Sequence, residues 1–272
     1  MSRINDSEII KVQYNNDKNL NKRIALHQKF STNSYGFSKW GFDKYCLSPK
    51  LKTLELGCGN GAIWKVNKNR LPENIDLTLT DLSEGMLDAA KSNLKEISSI
   101  KYLLMDIQDI KYPDNSFDLV IANHMLYHIP NRISAIKEVA RVVKSDGRFC
   151  ASTNGINNLK EMKEILKAFD SNIDLVSYSV AEEFGLENGE EQLLNCFEKV
   201  ELLRYEDALE ITKPEPLMDY ILSMEGHSNV TEIIKGKKIE EFKVYLTDLI
   251  NKAGSIHISK ASGMFIAKFP KK

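Results

Sequence analysis

Apolar and polar positions along the chain alternate in blocks that predict strands and helices in turn. Short apolar runs with a period of two predict strands, and apolar residues three or four apart predict helices. Between Leu51 and Thr153 five strands are expected, at residues 53–56, 75–80, 100–105, 117–122 and 148–153. Helices are expected between them, for example where Met86, Ala90 and Leu94 share one face. Strands that alternate with helices predict a largely parallel sheet covered by helices.

After residue 154 this alternation stops. The expected order is helices without a strand in 156–197, a strand near 200–205, a helical section opened by Pro214 and Pro216, and a last strand at 263–269. The Asp146-Gly147 pair is expected to form a turn that leads into the fifth strand. The late helices could cover a site at the end of the sheet.

A glycine-rich loop follows the first predicted strand and carries the main chemical signal. Gly57, Gly59 and Gly61 allow positive φ angles and a close approach of a ligand to the backbone. The helix after such a loop presents free N–H groups to the ligand. Asp81 ends the second strand about 20 positions further on, where an acidic residue can accept hydrogen bonds from ribose hydroxyls. The pattern predicts a nucleoside-containing cofactor at the carboxyl ends of the strands.

Glu55 affects the choice of cofactor, because it lies two residues before the first glycine. A carboxylate there opposes a pyrophosphate and suits S-adenosylmethionine, which carries a sulfonium and an ammonium. Within these 272 residues no separate second domain of the size that a dehydrogenase usually needs is expected. Two alternatives stay open: an NAD(P)-dependent oxidoreductase with the same loop, and a non-catalytic S-adenosylmethionine-binding protein.

Four segments resemble motifs of the class I S-adenosylmethionine-dependent methyltransferases, in the family's order and spacing. They are residues 54–61, 80–87, 106–118 and 126–129. The resemblance implies an α/β fold with a Rossmann-like, seven-stranded, mostly parallel sheet and helices on both faces. The implied division is a helical N-terminal cap at 1–47, an S-adenosylmethionine-binding core at 48–155, a helical insertion after strand 5 at 156–197, and the rest of the sheet with helical cover at 198–272.

The resemblance also implies the roles of individual residues. The glycines line the methionine and ribose part, and Asp81 binds both ribose hydroxyls. Leu82 and Met86 pack on adenine, and Asp106 accepts from its amino group. The complete predicted cofactor site is Glu55, Gly57, Cys58, Gly59, Gly61, Asp81, Leu82, Met86, Asp106, Ile107 and Asn123. Within it Glu55 lies near the ammonium, directly or through water, and Cys58 is a small filler of the loop rather than a nucleophile.

The expected reaction is displacement at the sulfonium methyl by an O, N or C atom of the acceptor. A general base is needed only if the acceptor must lose a proton. His124, His128 and Tyr127 are the candidates, and histidine suits the role because its pKa is close to operating pH. His124 and His128 are also spaced as a metal pair, but no third ligand follows, so no metal is predicted.

Two features before the core could shape the acceptor site. Residues 23–33 either fold over cofactor and substrate or pack as a helix on the edge of the sheet. Tyr35, Trp40 and Tyr45 either form an aromatic wall for an organic acceptor or belong to the core.

Composition narrows the class of partner. The 272 residues include 37 Lys and Arg against 38 Asp and Glu, a net charge of −1, without the basic excess of a nucleic-acid binder. The four cysteines are scattered and no apolar run is long enough to span a membrane. We therefore expect a cytoplasmic protein with a small-molecule acceptor, no nucleic-acid partner and no membrane partner. The oligomeric state is not predicted.

Overall fold

A seven-stranded sheet organises the chain in the computed structural model, which describes residues 17–175, 180–224 and 228–271. Its strands are β1 (Lys52–Leu56), β2 (Asp76–Asp81), β3 (Ile100–Leu104), β4 (Phe117–Asn123), β5 (Val143–Asn154), β6 (Phe197–Tyr205) and β9 (Ser262–Pro270). Two further strands, β7 (Ala208–Ile211) and β8 (Ile256–Ser259), pair separately. The first 16 residues of the predicted N-terminal cap lie outside the described residues.

Helices connect the strands and cover the sheet. They are α1 (Lys18–Phe30), α2 (Phe37–Lys44), α3 (Ala62–Val66), α4 (Glu84–Asn93), α5 (Arg132–Val142), α6 (Lys160–Phe169), α7 (Val180–Phe184), α8 (Gly189–Leu194), α9 (Pro214–Leu222), α10 (Val230–Ile233) and α11 (Lys237–Ala253). Ser83 caps α4 as a short polar residue should, because its side chain accepts from the Met86 backbone N–H.

The order of strands in the sheet is β3-β2-β1-β4-β5-β9-β6. Strands β1 to β5 pair in parallel, while β9 runs antiparallel to both β5 and β6. The predicted seven-stranded, mostly parallel sheet is confirmed. The chain winds outward from β1 to β3 and then returns to place β4 on the other side of β1. This reversal opens a crevice at the carboxyl ends of β1 and β4, where ligands bind in folds of this kind.

Burial on both faces explains the nearly continuous apolar runs of the central strands. Along β4, Val120 and Ala122 face one hydrophobic cluster, whereas Leu119 and Ile121 face the other. The same strand therefore anchors helices on both sides of the sheet. Its last residue, Asn123, emerges from this core at the crevice.

The predicted turn at Asp146-Gly147 is wrong. Strand β5 already begins at Val143, which pairs with Phe117. The register then shifts between Phe117 and Leu119 of β4. Asp146 and Gly147 lie in the irregular part of β5 opposite this shift. A Cβ on Gly147 would lie 3.0 Å from the backbone oxygen of Asp118, so the close approach explains the glycine.

The prediction of only two late strands is also wrong. Strands β7 and β8 form a separate antiparallel pair, and Ser31 at the end of α1 bridges to Leu209. Each of these strands has only four residues, which is too few for a period-two pattern to be recognised, and each borders a helical pattern. The helical section opened by Pro214 is divided into α9, α10 and α11.

A second hydrophobic core, distinct from those of the sheet, joins the N-terminal and C-terminal parts of the chain. It buries apolar residues from α1, α6, β7, α9, α11 and β8, among them Leu26, Phe30, Leu166, Leu209, Ile221, Phe242 and Ile258. The cover of the sheet is thus one packed layer in which α1 is held by residues near the other end of the chain. Within the ranges described, no helix has the length and apolarity needed to cross a bilayer.

Replacing Phe242 by alanine should destabilise this second core. The side chain is fully buried and packs on Phe169, with 4.8 Å between ring centroids. We expect a loss of about 3–5 kcal/mol in the free energy of unfolding, measured by denaturant titration, because a large cavity replaces the ring. The control is Val244→Ala on the same helix, where the side chain is 59% exposed and the change should stay within about 0.5 kcal/mol. Equal effects of the two substitutions would contradict the assignment of the core.

Candidate functional site

The glycine loop connects β1 to α3 and has the predicted backbone. Gly57, Gly59 and Gly61 have φ angles of 67°, 55° and 71°. The Cys58 backbone N–H donates to the Thr80 carbonyl at 2.8 Å, which fixes the loop to the end of β2. A Cβ on Gly61 would lie 2.9 Å from Leu94 Cδ1. The glycines are therefore required both by conformation and, at Gly61, by space.

Asp81 lies directly against this loop. One carboxylate oxygen accepts from the Gly59 backbone N–H at 2.9 Å, and the other accepts from the Ser83 backbone N–H at 2.9 Å. Burial raises the pKa of Asp81, and these backbone donors counteract the rise. A carboxylate has about four acceptor positions, so Asp81 keeps capacity for ligand hydroxyls while it supports the loop.

Glu55 is buried below the loop, with 1% of its surface exposed. The indole N–H of Trp64 donates to one oxygen, and the amide of Asn123 donates to the other at 2.7 Å. Burial raises the pKa of Glu55 to about 7, and the charge of Asp81 adds to the rise. Because Glu55 is buried, its link to a ligand at the loop would run mainly through Asn123.

Asn123 is fixed at the carboxyl end of β4 by three side chains. Its amide nitrogen also lies 2.7 Å from the Tyr45 hydroxyl oxygen, and its oxygen accepts from the Ser152 hydroxyl at 3.0 Å. The sequence had suggested neither Trp64 nor Ser152 as part of the site, because nothing in the spacing of either residue relates it to Glu55.

The predicted adenine contacts differ in exposure. Leu82 is 51% exposed, whereas Met86 and Ile107 are buried. Asp106 is half-buried and accepts from the Gln108 backbone N–H at 2.9 Å. Leu82 is thus the predicted apolar contact that is open to a ligand in this arrangement.

Cys58 is buried in the loop, and its thiol lies 3.5 Å from the Gly59 carbonyl oxygen. Burial raises the pKa of Cys58 well above its ordinary value, so the thiol stays protonated. A protonated, buried thiol is a poor nucleophile. These properties fit the filler role.

The three predicted base candidates occupy two different environments. His124 follows Asn123 with a φ of 48°, and its backbone N–H donates to the Ser152 carbonyl at 3.0 Å. Tyr127 and His128 lie in the 3₁₀ turn Leu126–His128, with 4.6 Å between their ring centroids. Tyr127 is packed in the core of the sheet. Of the three, His124 is next to the residue that contacts Glu55.

Burial and the charge of Lys260 lower the pKa of His124 to about 4. The imidazole is therefore neutral at physiological pH. A neutral imidazole can accept or donate a hydrogen bond, but with so low a pKa it holds a proton weakly.

Helix α1 lies over the glycine loop at one end and reaches the small sheet at the other. The Asn60 amide donates to Asn21 Oδ1 at 3.0 Å, and a Cβ on Gly59 would lie 3.5 Å from Leu20 Cδ2. At the far end the Thr32 backbone N–H donates to the Ala208 carbonyl at 2.9 Å. These contacts favour the reading in which the segment 23–33 belongs to a cover of the site.

The three aromatic residues of the predicted wall do not lie together. Tyr45 is fully buried beside Trp64, and Tyr35 is largely exposed with its hydroxyl donating to Asp43. Trp40 alone belongs to an aromatic cluster near His124, together with Phe37 and Tyr205. The sequence missed Tyr205, because β6 is distant from α2 along the chain.

In residues 17–175, 180–224 and 228–271, no group of three or more His, Cys, Asp or Glu side chains is placed to hold a metal ion.

A glycine loop with an acidic residue at the next strand end, beside a reversal of strand order, is typical of proteins that bind a nucleoside-containing cofactor. Residues 54–151 match the protein family described as "Methyltransferase domain". The matched segment, which runs from β1 into β5, is therefore similar to methyltransferases of this family.

Curated relatives are similar over this core. The ubiquinone/menaquinone biosynthesis C-methyltransferase UbiE of Hydrogenovibrio crunogenus is 29% identical over 105 residues, which are 38% of this chain and 41% of that protein. The malonyl-(acyl-carrier protein) O-methyltransferase of Paenibacillus sp. is 26% identical over 117 residues, 42% of each chain. The chain thus spans about two fifths of these relatives' length.

A solved structure from Bacillus halodurans C-125, described as a candidate methyltransferase, has the same fold. It aligns with a TM-score of 0.57 over 86% of this chain and 99% of that one, at 16% identity. The likeness extends the shared fold well beyond the region of sequence similarity.

The raised pKa of Glu55 predicts that its contribution to stability falls as pH rises. The pKa is 4.5 when the group is unperturbed and about 7 in the fold, so between these values the folded state holds a proton that the unfolded state releases. The stability contribution is greatest below about pH 4.5 and is lost as pH rises through 7. Glu55→Gln removes this titration. The free energy of unfolding of the variant, relative to that of the wild type, should therefore rise by ~1–3 kcal/mol from pH 5 to pH 8.

Denaturant titrations at both pH values check this expectation. Glu201 is exposed, so Glu201→Gln serves as the control. Its free energy of unfolding should differ from that of the wild type by the same amount at both pH values. If the difference in free energy of unfolding between Glu55→Gln and the wild type were also the same at both pH values, the carboxyl of Glu55 would not titrate in this range.

Proposed function

We propose that this protein is an S-adenosylmethionine-dependent methyltransferase that acts on a small-molecule acceptor. The observation that carries the proposal is Asp81, held by the Gly59 backbone N–H at the carboxyl end of β2. This places a carboxylate beside the glycine loop at the crevice, where the ribose of a nucleoside cofactor needs an acceptor.

The charge of the site supports the choice of cofactor. Glu55 and Asp81 are close enough that the charge of one raises the pKa of the other. Two carboxyl groups below one loop disfavour a pyrophosphate and suit a ligand with cationic groups. This arrangement favours S-adenosylmethionine over NAD(P).

The residues of the chain would hold the cofactor by its separate parts. Asp81 would accept from the ribose hydroxyls, and Asp106 would accept from the adenine amino group beside Leu82. Glu55 and Asn123 would lie toward the methionine end. When bound, the cofactor would supply a methyl group from its sulfonium, and the rest of the cofactor would leave as a neutral thioether.

Because the leaving group is good, the protein's main task is to align the acceptor. Proximity and orientation can supply on the order of 7 kcal/mol or more of the barrier. His124 is the base candidate nearest to Asn123, and as a neutral imidazole it can accept a hydrogen bond from the acceptor. Tyr127 and His128 remain predictions for a proton-transfer role.

The acceptor atom is left open by the relatives, since one is named a C-methyltransferase and the other an O-methyltransferase. A small-molecule acceptor is supported by the near-neutral net charge of −1 and by the cover that α1 forms over the loop. The four cysteines are free, which supports a reducing compartment such as the cytoplasm.

Asp81→Ala should weaken binding of S-adenosylmethionine by roughly 1–3 kcal/mol, through loss of a charge-assisted hydrogen bond. Isothermal titration calorimetry of the full chain measures the effect. Asp88→Ala is the matched control, because that exposed aspartate lies on the next helix and forms an ion pair with Lys91. An unchanged dissociation constant for Asp81→Ala would show that Asp81 does not bind the ribose.

The same calorimeter separates the alternatives. Tight binding of NAD(P) without binding of S-adenosylhomocysteine would replace the proposal by an oxidoreductase. Tight binding of S-adenosylmethionine with no methyl transfer to any acceptor in a broad panel would favour a non-catalytic binding protein.

A further inference from the structure

Two histidines near the crevice have buried ring nitrogens without partners. They are His27 on α1 and His124, which directly follows β4. Within the described residues, the Nδ1 atom of each ring is buried and has no hydrogen-bond partner. A buried polar group without a partner is energetically costly, and native structures leave few of them. Two such atoms beside one site indicate that a ligand completes them.

The two imidazoles lie in the same part of the molecule. The Ser31 backbone N–H donates to the His27 carbonyl at 3.1 Å, and the Ser31 hydroxyl donates to Asp207 at 2.7 Å. Lys260, which pairs with Asp207, lies 5.5 Å from the centroid of the Tyr205 ring. The Phe37 ring lies 5.0 Å from His124 and 5.4 Å from Tyr205, between ring centroids. Thus α1, α2, β4, β6 and the turn after β8 converge around the two rings.

The surroundings are aromatic and carry balanced charge. Lys260 forms an ion pair with Asp207, and their side chains are only 8% and 1% exposed. Burial, helped by Lys260, lowers the pKa of His27 to about 3, so this imidazole is neutral like that of His124. A charged acceptor would therefore lose its hydration without gaining a free counter-ion.

We infer that His27 and His124 together bind the acceptor, and that the acceptor is an uncharged planar molecule with a hydroxyl group, a hydroxyarene. A neutral imidazole and a hydroxyl can each donate and accept, so one hydroxyl can satisfy an Nδ1 atom whichever tautomer is present. The ring of Phe37 offers an apolar face to a planar body.

The position of His124 relates the proposed acceptor site to the proposed cofactor site. His124 directly follows Asn123, which contacts Glu55 below the glycine loop. An acceptor held by His124 therefore lies on the methionine side of the crevice. This inference rests on the proposed function, since it assigns the acceptor of the same reaction.

Acceptor binding is tested with 2-naphthol as the probe, titrated calorimetrically into full-length protein saturated with S-adenosylhomocysteine. We expect 2-naphthol to bind, and 2-methoxynaphthalene, which cannot donate, to bind roughly threefold or more weakly. The anion 2-naphthoate, which has the same ring system, should also bind more weakly. Stronger binding of 2-naphthoate would overturn the inference of an uncharged acceptor.

Variants test the two histidines. His27→Phe and His124→Phe should each weaken 2-naphthol binding by roughly 3- to 10-fold, the effect of one hydrogen bond. Asparagine places an amide near the former Nδ1, so His27→Asn should recover part of the affinity. His27→Phe should leave S-adenosylhomocysteine binding unchanged.

Stability of the ligand-free protein separates a binding role from a structural one. His27→Phe removes a buried polar atom without a partner, so its melting temperature should stay the same or rise. A lower melting temperature with unchanged 2-naphthol affinity would make His27 a structural residue. If S-adenosylhomocysteine binds and 2-naphthol does not, only this inference fails; if S-adenosylhomocysteine does not bind, the proposed function fails.

Discussion

The buried carboxyl of Glu55 is the constraint around which the crevice is built. A carboxyl in the core must be given hydrogen-bond donors, because an unpaired one is far more costly to bury than an apolar side chain. Trp64 on α3 and Asn123 on β4 provide those donors. Asn123 in turn contacts Tyr45 and Ser152. One acidic group thus ties together β1, β4, β5, α3 and the end of α2 where the strand order reverses.

The polar groups of the crevice fall into two sets. On the side of the glycine loop, Glu55, Asp81 and Asp106 all have protein donors in the absence of a ligand. On the side of α1, His27 and His124 do not. The proposed cofactor half is therefore preorganised, and it adjoins a proposed acceptor half whose hydrogen bonds are incomplete. Such a division fits a fold in which the methyl donor site is shared by a family and the acceptor site is particular to each member.

The acceptor half depends on the second hydrophobic core. Leu26 and Phe30 of α1 pack with residues of α9, α11, β7 and β8, while Asn21 and Leu20 reach the glycine loop. These contacts fix α1 against the second core, where the His27 ring also meets Tyr220, with 5.8 Å between ring centroids. A single helix therefore links the stability of the cover to the position of His27.

Much of the sheet and of the cofactor half could be predicted from the sequence alone. The five parallel strands, the glycine loop and Asp81 are encoded by local periodicity and by fixed spacing within one strand-loop-helix unit, which needs no knowledge of distant contacts. The sequence predicts a turn where β5 is irregular, because Asp146-Gly147 is a residue pair that is common in turns. Tertiary structure alone decided the rest. Strands β7 and β8 form through their pairing with each other and through the bridge from Ser31 to Leu209. His27, Phe37, His124 and Tyr205 become neighbours only when four separate elements pack. Local sequence does not record such contacts, because they arise from the burial of apolar faces between elements that are far apart along the chain.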